Sequence, residues 1–550
     1  MHTQSSNRPG NDPDWWRNAV IYQIYVRSFF DANGDGIGDL DGVRAKLGYL
    51  RDLGVDAVWF NPWYASPMAD GGYDVADYRA IEPMFGTLAE AELLITEALA
   101  VGIRTIVDIV PNHVSDQHRW FQAALAAGPG SPERERFWFH PGRGADGSEQ
   151  PTSWVSSFAG NTWTRTTNAD GTPGEWYLHL FTPEQPDLNW SHPDVWAEHE
   201  DILRFWLDRG VAGIRIDSAA LPVKDGSFPE VPEDYAAGEH PHLDREELHD
   251  IYRGWRAVAD SYEGTRILVG EIWLADNERF ALYLRPDEMH TAFNFDFMAR
   301  PWEAKELRAS IEDTIAAHAP AGAPPTWVLS NHDVTRPVTR YGRADTSFSF
   351  QAKRFGTPTD LELGTRRARA AALLVAALPG SMYIYQGDEL GLPEAEGIPL
   401  GLLEDPMHFR SGGVDPGRDG CRVPLPWTGT APHFGFSRAT ATAAPWLPQP
   451  DSWAGLSVDA QVGREASMLC LYRTALRVRH NDQDLRGDAL DWLPLGDSAV
   501  AFRRGARFAS ITNFSDEPLA LPEDSDVLLA SGELHDRLLP SDTTVWVHLR

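Results

Sequence analysis

Short runs of apolar residues alternate along most of the chain with longer segments whose apolar positions recur every three or four residues. The short runs are rich in Val, Ile and aromatic residues and are apolar nearly throughout, which is typical of parallel strands covered on both faces. Eight such runs are predicted to be strands: 20–29, 55–62, 103–113, 211–219, 266–273, 291–298, 326–333 and 380–389.

The segments between these runs have the periodicity of amphipathic helices. In 41–54 the apolar positions fall on one helical face, and Thr87 and Glu90 have the spacing of a capping box. Further helices are predicted at 193–210, 365–378 and 464–480. Strands that alternate with helices eight times predict an α/β fold, and a closed (β/α)8 barrel of the TIM type more readily than an open sheet.

Two regions depart from this alternation. Residues 112–186 form a Gly-, Pro- and Trp-containing stretch that is too long for a plain loop, so an inserted subdomain after strand 3 is predicted there. From 486 onward, short alternating strands predict a C-terminal antiparallel β-sandwich domain. The predicted organisation is a polar tail (1–14), the barrel (15–111 and 187–485), the insertion (112–186) and the C-terminal domain (486–550).

Composition excludes several classes of partner. The chain has 48 Lys and Arg against 80 Asp and Glu, and a net charge of -32 disfavours nucleic acid. No run of 18 apolar residues predicts a membrane span, and the polar N-terminus lacks the apolar core of a secretory signal. Two cysteines cannot form a disulfide framework. We therefore expect a cytoplasmic protein, a monomer or weak homo-oligomer, with a small-molecule substrate.

Acidic residues end several predicted strands. Asp217 follows Arg215 by two residues, so both side chains point to one face of a strand and Arg215 is expected to keep Asp217 ionised. Glu271 ends the next strand among apolar residues, which should raise its pKa as a general acid requires. Asp333 follows His332. A lone acid at a barrel rim is as well explained by a structural salt bridge, whereas three acids on matching strand ends favour a catalytic site.

Four motifs carry a family resemblance. DIVPNH, GIRID, GEIW and SNHD, in this order, resemble the four signature regions of the α-amylase family, glycoside hydrolase family thirteen. QPDLNW (185–190) is similar to a fifth region in the form typical of its α-glucosidase and oligo-1,6-glucosidase members. GRDGCRVPLPW (417–427) resembles a later stretch of the same members. The resemblance extends from Trp15 to at least Trp427.

The resemblance implies roles for individual residues. Asp217 matches the nucleophile, Glu271 the general acid/base and Asp333 the acid that stabilises the transition state. Other matches would hold the sugar: Tyr73 as a stacking platform, Asp74 gripping the glucose ring, His113, Arg215, His332, and Arg422 reaching the same glucose. A salt bridge that only stabilises its loop is the alternative for Arg422.

The activity implied is that of a retaining, exo-acting α-glucosidase with transglucosylation as a side reaction. In relatives a Val after the nucleophile accompanies α-1,6 preference, so Ser218 favours α-1,4-linked, maltose-type substrates. An oligo-1,6-glucosidase or an isomerase such as a trehalose synthase, using the same acids, remains an alternative. A non-catalytic relative of the transporter-associated kind is disfavoured because both acids are present.

A second motif follows the first strand. Asp31, Asn33 and Asp35 alternate before a glycine, like the first half of a calcium loop, but the twelfth position is Gly42 rather than Glu. The resemblance implies a short structural loop for one Ca²⁺ or Mg²⁺, whose ligands would be Asp31, Asn33, Asp35, the carbonyl of Ile37, and Asp39. A solvated turn without metal is the alternative.

Phe293, Phe295 and Phe297 alternate along the predicted sixth strand. They are expected to fill the barrel, and lining an acceptor subsite is the alternative.

Overall fold

Eight parallel strands form one sheet whose order brings its two ends together. The computed structural model of the protein describes residues 12–232, 240–350, 352–430 and 432–550. The strands are β1 Val20–Ile24, β2 Ala57–Phe60, β3 Arg104–Ile109, β4 Gly213–Ile216, β5 Ile267–Gly270, β6 Thr291–Ala292, β7 Thr326–Val328 and β8 Ser381–Tyr385. Their order in the sheet is β6-β5-β4-β3-β2-β1-β8-β7.

The seam between β6 and β7 closes through side chains. No backbone ladder pairs these two strands in the described part of the chain. Instead the Thr326 hydroxyl donates to the carbonyl of Ala292 at 2.6 Å and accepts the amide of Asn294 at 3.2 Å. The Thr291 hydroxyl donates to the carbonyl of Pro324 at 3.0 Å. The barrel predicted from the sequence is therefore confirmed.

Helices surround the barrel and cover the outer faces of its strands. The longer ones are Leu47–Leu53, Leu88–Ala100, Pro193–Leu207, Leu248–Asp260, Ala304–His318, Leu361–Ala377 and Met468–Asn481. Shorter helices are Leu40–Ala45, Asn277–Leu282, Phe295–Ala299, Pro337–Tyr341, Pro406–Arg410 and Val458–Gln461. The helix after Thr87 begins with the predicted capping box, in which Thr87 and Glu90 satisfy each other's backbone amides.

The sixth strand is much shorter than predicted. It ends at Ala292, and Phe295 and Phe297 lie in the helix Phe295–Ala299 rather than in a strand. The reason is local, because the side chain of Asn294 accepts the amide of Phe297 and caps that helix. The three Phe residues therefore do not alternate along one strand, although all three are buried.

The insertion and the C-terminal region have antiparallel sheets of their own. Residues 112–186 contain a helix, Arg119–Ala127, and a three-stranded sheet of Phe139–His140, Pro173–Leu178 and Trp163–Thr167. The C-terminal region has a five-stranded sheet and a two-stranded one: Asp491–Trp492, Ala499–Arg504, Phe508–Asn513, Thr543–Leu549 and Ser525–Ala530, then Leu519–Ala520 with Leu538–Leu539. The predicted domain boundaries stay predictions. No helix of the described residues is long and apolar enough to cross a membrane.

His290 is buried in this fold and held neutral, and it offers a test. Its Nδ1 accepts the amide of Leu268 at 3.1 Å, and burial lowers its pKa to about 3. An unfolded chain binds a proton on this imidazole below about pH 6.5. The folded state therefore loses stability relative to the unfolded state as the pH falls from about 6.5, by about 2 kcal/mol at pH 5.

We predict that His290→Asn, which keeps an acceptor for Leu268, destabilises the protein less at pH 5 than at pH 7. The wild type loses the stability described above on acidification, and the variant has no imidazole to lose it. The measurement is the difference in Tm between the two proteins at both pH values. A difference that stays constant would contradict neutral burial of His290.

Candidate active site

A cavity of about 580 Å³ opens at the carboxyl ends of the barrel strands. Its wall includes Phe158 and Phe181 from the insertion and side chains from the ends of several strands. Six residues predicted from the sequence line it: Tyr73, His113, Asp217, Glu271, His332 and Asp333. The site thus lies where active sites of such barrels assemble.

Strand register brings the first two acids together. Ile216 of β4 pairs with Gly270 of β5, so the residues that follow, Asp217 and Glu271, lie side by side. Arg215 bridges them, with Nη1 2.7 Å from Asp217 Oδ1 and Nη2 2.7 Å from Glu271 Oε2. Its Nη1 also bonds Asp108 at 2.8 Å. One guanidinium thus holds both carboxyl groups close together, and a retaining glycosidase needs two neighbouring carboxyl groups.

Two further donors fix the carboxyl group of Glu271. The indole Nε1 of Trp273 donates to Oε1 at 3.1 Å, and the backbone amide of Ser218 donates to Oε2 at 2.9 Å. Ser218 has a φ of 45°, in the left-handed region that non-glycine residues rarely occupy. This turn directly after Asp217 aims the amide of Ser218 at Glu271.

The pKa of Asp217 is raised, whereas the sequence predicted that Arg215 would keep this acid ionised. Burial and the neighbouring Glu271 carboxyl raise the pKa of Asp217 well above its usual value, and Arg215 opposes them without prevailing. Two buried carboxyl groups in contact do not both ionise readily, so the pair retains a proton. Double displacement requires one protonated and one ionised group, and this pair can supply both.

The pKa of the third acid, Asp333, is shifted downward because two arginines contact it. Asp333 Oδ1 accepts Nη2 of Arg422 at 2.9 Å and Nη1 of Arg418 at 3.1 Å. Burial alone would raise its pKa, but His332, Arg418 and Arg422 outweigh burial and hold the pKa of Asp333 well below its usual range. Asp333 is therefore ionised at neutral pH.

The two histidines of the site are neutral hydrogen-bonding groups. Burial and then Lys224 lower the pKa of His113 to about 3, and burial holds the pKa of His332 well below its usual value. The ring of Tyr73 stacks on His332 with 5.2 Å between centroids and a 5° angle. A neutral imidazole can both donate to and accept from a sugar hydroxyl.

Asp74 does not reach the cavity, contrary to the sequence prediction. It is fully buried, and its oxygens accept the amides of Ala69 at 2.9 Å and Asp70 at 3.0 Å. Asp70 lines the cavity instead. Gly71 and Gly72 follow it with positive φ, and a Cβ at Gly72 would lie 2.8 Å from the carbonyl of Pro62. The tight glycine turn therefore decides which of the two aspartates faces inward.

Arg418, rather than the predicted Arg422, lines the cavity beside Asp70. Its Nη2 lies 2.6 Å from Asp70 Oδ1, and Nε lies 2.7 Å from Asp405. Arg422 lies behind the wall, where its Nε donates to the carbonyl of His332 at 2.9 Å. The two arginines lie four positions apart along the chain, and only the packing places one of them on the cavity wall.

The predicted ion loop is held together by hydrogen bonds of its own. Asp31 accepts two backbone amides of the loop region and Asp39 accepts three. The side chains of Asn33 and Asp35 bond to each other, and Asp35 accepts the amide of Ile37. Within the described residues, no group of three or more His, Cys, Asp or Glu side chains is arranged to hold a metal. The oxygen donors suit Ca²⁺ or Mg²⁺, and the ion itself stays a prediction.

Known proteins resemble this chain over nearly its whole length. The family model described as alpha amylase, catalytic domain, matches residues 23–488. A probable alpha-glucosidase of Rhizobium meliloti (strain 1021) is 34% identical over 541 residues, 94% of this chain and 92% of that protein. An oligo-1,6-glucosidase of Heyndrickxia coagulans is 34% identical over 509 residues, 85% of each chain. The crystal structure of the alpha-glucosyl transfer enzyme XgtA has a TM-score of 0.82 at 33% identity, covering 98% of this chain and 99% of that one.

The two aspartates near Tyr73 give a matched test of the site. We predict that Asp70→Asn lowers kcat/KM on α-glucosides by about tenfold or more, because it removes a charge from the cavity wall. Asp74→Asn, outside the cavity, should lower Tm and change kcat/KM much less, because its oxygens bind only the protein. Steady-state kinetics on both variants measure kcat/KM, and thermal melts measure Tm. The reverse ranking in kcat/KM would restore Asp74 as the substrate-binding acid.

Proposed function

Because the chain belongs to the α-amylase family of glycoside hydrolases, we propose that it is a retaining, exo-acting α-glucosidase. It would release glucose from the non-reducing end of short α-glucosides. The observation that carries the proposal is Arg418, which binds Asp70, Asp333 and Asp405 at once beside the acid pair. Such a charged wall offers hydroxyl partners to one terminal glucose and obstructs a longer chain from threading past it.

The chemistry would proceed by double displacement. Glu271 protonates the glycosidic oxygen while Asp217 attacks the anomeric carbon, giving a β-glucosyl-enzyme. Glu271 then removes a proton from water, and the second displacement restores the α configuration. Arg215 orients both carboxyl groups throughout. Asp333 supplies negative charge beside the positive charge that develops on the sugar ring.

The proposal extends to the preferred glycosidic linkage and to the transfer of glucose to a second sugar. Ser218, a small residue after Asp217, lines the cavity and supports the α-1,4, maltose-type preference. A sugar that replaces water at the glucosyl-enzyme would give transglucosylation, which the name of the structural relative supports. An oligo-1,6-glucosidase is the second candidate, favoured by the 34% identical relative with that activity in its name. An isomerase that excludes water is the third.

We predict that the glucose from the non-reducing end of the substrate is released as the α anomer, because two displacements retain configuration. A panel of maltose, isomaltose, sucrose, trehalose and starch, followed by proton NMR within the first minutes, measures anomer and linkage together. Asp217→Asn is the control and should lose about 10³-fold or more in kcat. β-Glucose released first from sucrose, whose leaving group is fructose, would refute the assignment of Asp217. Trehalose formed from maltose would favour the isomerase, and internal cleavage of starch would refute exo action.

We also propose that the loop 31–39 binds one structural Ca²⁺ or Mg²⁺. Burial raises the pKa of Asp39, and the nearby Asp31 adds to this, a repulsion that a cation would relieve. The residues that would hold it are Asp31, Asn33, Asp35, the Ile37 carbonyl and Asp39.

The expected result is that dialysis against EDTA lowers Tm and that Ca²⁺ or Mg²⁺ restores it, because an ion bound only by the folded state stabilises it. The Asp35→Ala variant should have a lower Tm than the untreated wild type, and EDTA should not change that Tm. An unchanged Tm of the wild type after EDTA would exclude the structural ion.

A further inference from the structure

A separate cavity borders the segment that carries Arg418. Its volume is about 430 Å³, which is in the size range of small-molecule sites. Glu394, Leu400 and Val414 are part of its wall, and we call it the rear cavity. None of its described lining residues lines the active cavity. The two cavities nevertheless meet across one stretch of backbone, because Gly417 lines the rear cavity and the next residue, Arg418, lines the active one.

The rear cavity contains a carboxyl group that has no cation of its own. Glu394 is largely buried, and its Oε2 accepts the backbone amide of Arg336 at 2.9 Å. Within the described part of the chain, no ion pair is made to Glu394 and its Oε1 accepts no hydrogen bond. Burial raises the pKa of Glu394 to about 7, although the charges of Arg336 and Arg343 act in the opposite direction. A cation from solution that bonds Oε1 would relieve this cost of burial.

The other charged groups of the wall are already paired. Lys353 Nζ donates to Asp415 at 2.7 Å, and Glu396 forms an ion pair with Arg343. His408 Nδ1 lies 3.0 Å from the carbonyl oxygen of Asp415 and therefore donates to it. In the neutral imidazole this leaves Nε2 as an acceptor. The rear cavity thus offers acceptors to a ligand, and the ligand that suits it carries hydrogen-bond donors and a positive charge.

The outer part of the wall is apolar and exposed to water. Val414 is 88% exposed, Leu400 is 74% exposed and Phe355 is 47% exposed, and all three line the rear cavity. An apolar group that packs against these side chains removes apolar surface from water, which favours binding. A ligand that joins a charged donor to an apolar group therefore matches both parts of the wall.

We propose that the rear cavity binds primary ammonium ions that carry an apolar group, and that such a ligand is an effector of the active site. The ammonium group donates to Glu394, and the apolar group packs on Leu400 and Val414. Because the ligand also packs against the backbone at Gly417, it favours the arrangement in which Arg418 bonds Asp70. The ligand and an α-glucoside then strengthen each other's binding. The effector action rests on the proposed function, and the binding does not.

The experiment measures binding of hexylammonium chloride to the whole protein by isothermal titration calorimetry. Hexanol lacks the charge and ammonium chloride lacks the apolar group, and both should bind at least tenfold more weakly. Glu394→Gln should weaken hexylammonium binding about tenfold or more, because the amide has no charge for the ammonium group. Asp217→Asn should leave this binding unchanged, which separates the rear cavity from an amine that binds the catalytic acids.

A second pair of variants tests the apolar part of the wall. Leu400→Ser should weaken hexylammonium binding about threefold, because it removes apolar contact area. Leu402→Ser is the matched control, because Leu402 is 45% exposed and lines neither cavity. Thermal melts establish that each variant folds, and the comparison of Leu400→Ser with Leu402→Ser carries the test should Glu394→Gln not fold.

Kinetics then test the effector action. With the α-glucoside that the panel above shows to be hydrolysed fastest, saturating hexylammonium should lower KM about twofold in the wild type relative to Glu394→Gln at the same concentration. An equal effect on KM in both proteins would overturn the effector action.

The outcomes for the site and for the proposed function are distinguishable. Hexylammonium binding that is equal in the wild type and Glu394→Gln, or that is lost in Asp217→Asn, would overturn the rear cavity as a site and leave the glucosidase proposal standing. Binding that depends on Glu394, in a protein that hydrolyses no α-glucoside, would support the site and overturn the proposed function. Binding lost in Glu394→Gln, weakened in Leu400→Ser and kept in Leu402→Ser and Asp217→Asn establishes the site.

Discussion

The site depends on one guanidinium buried among three carboxyl groups. Arg215 is 1% exposed and bonds Asp108, Asp217 and Glu271 together. Its single positive charge does not balance three ionised acids in a buried space. The three carboxyl groups therefore do not all ionise, and a proton stays bound among them. Burial, together with this imbalance, raises the pKa of Asp108 to about 7 and that of Asp217 well above its usual value. The proton that the pair of Asp217 and Glu271 retains is thus a consequence of burial and charge count.

That guanidinium is placed by strand register. Arg215 pairs with Asp108 on one side and with Val269 on the other, and a shift of one residue would turn its side chain to the opposite face. Segments far apart in the chain then complete the site. Asp70 comes from the loop after β2 and Arg418 from the region after β8, and they meet at 2.6 Å. The barrel supplies the chemistry, and loops at its rim supply the walls that decide which molecules reach it.

The sequence predicted what depends on local pattern. Alternating strands and helices, acids at strand ends and the position of Arg215 beside Asp217 all follow from periodicity, and the structure agrees with them. The sequence alone could not predict which aspartate near Tyr73 faces the cavity. A turn of Gly71 and Gly72 decides this through contacts with distant residues. The choice between Arg418 and Arg422 likewise depends on packing. The helix that begins at Phe295 was missed because a capping Asn overrides an alternating pattern.

The seam between β6 and β7 has a further consequence. Seven neighbouring pairs of barrel strands are joined by backbone ladders, whereas Thr326 and Thr291 join this pair through hydroxyl groups. Phe295, which supports Trp273, lies three residues beyond the end of β6. The ring that packs on Trp273 is therefore carried by a segment that starts at a seam closed by side chains, whereas Asp217 and Glu271 follow strands that backbone ladders hold on both sides.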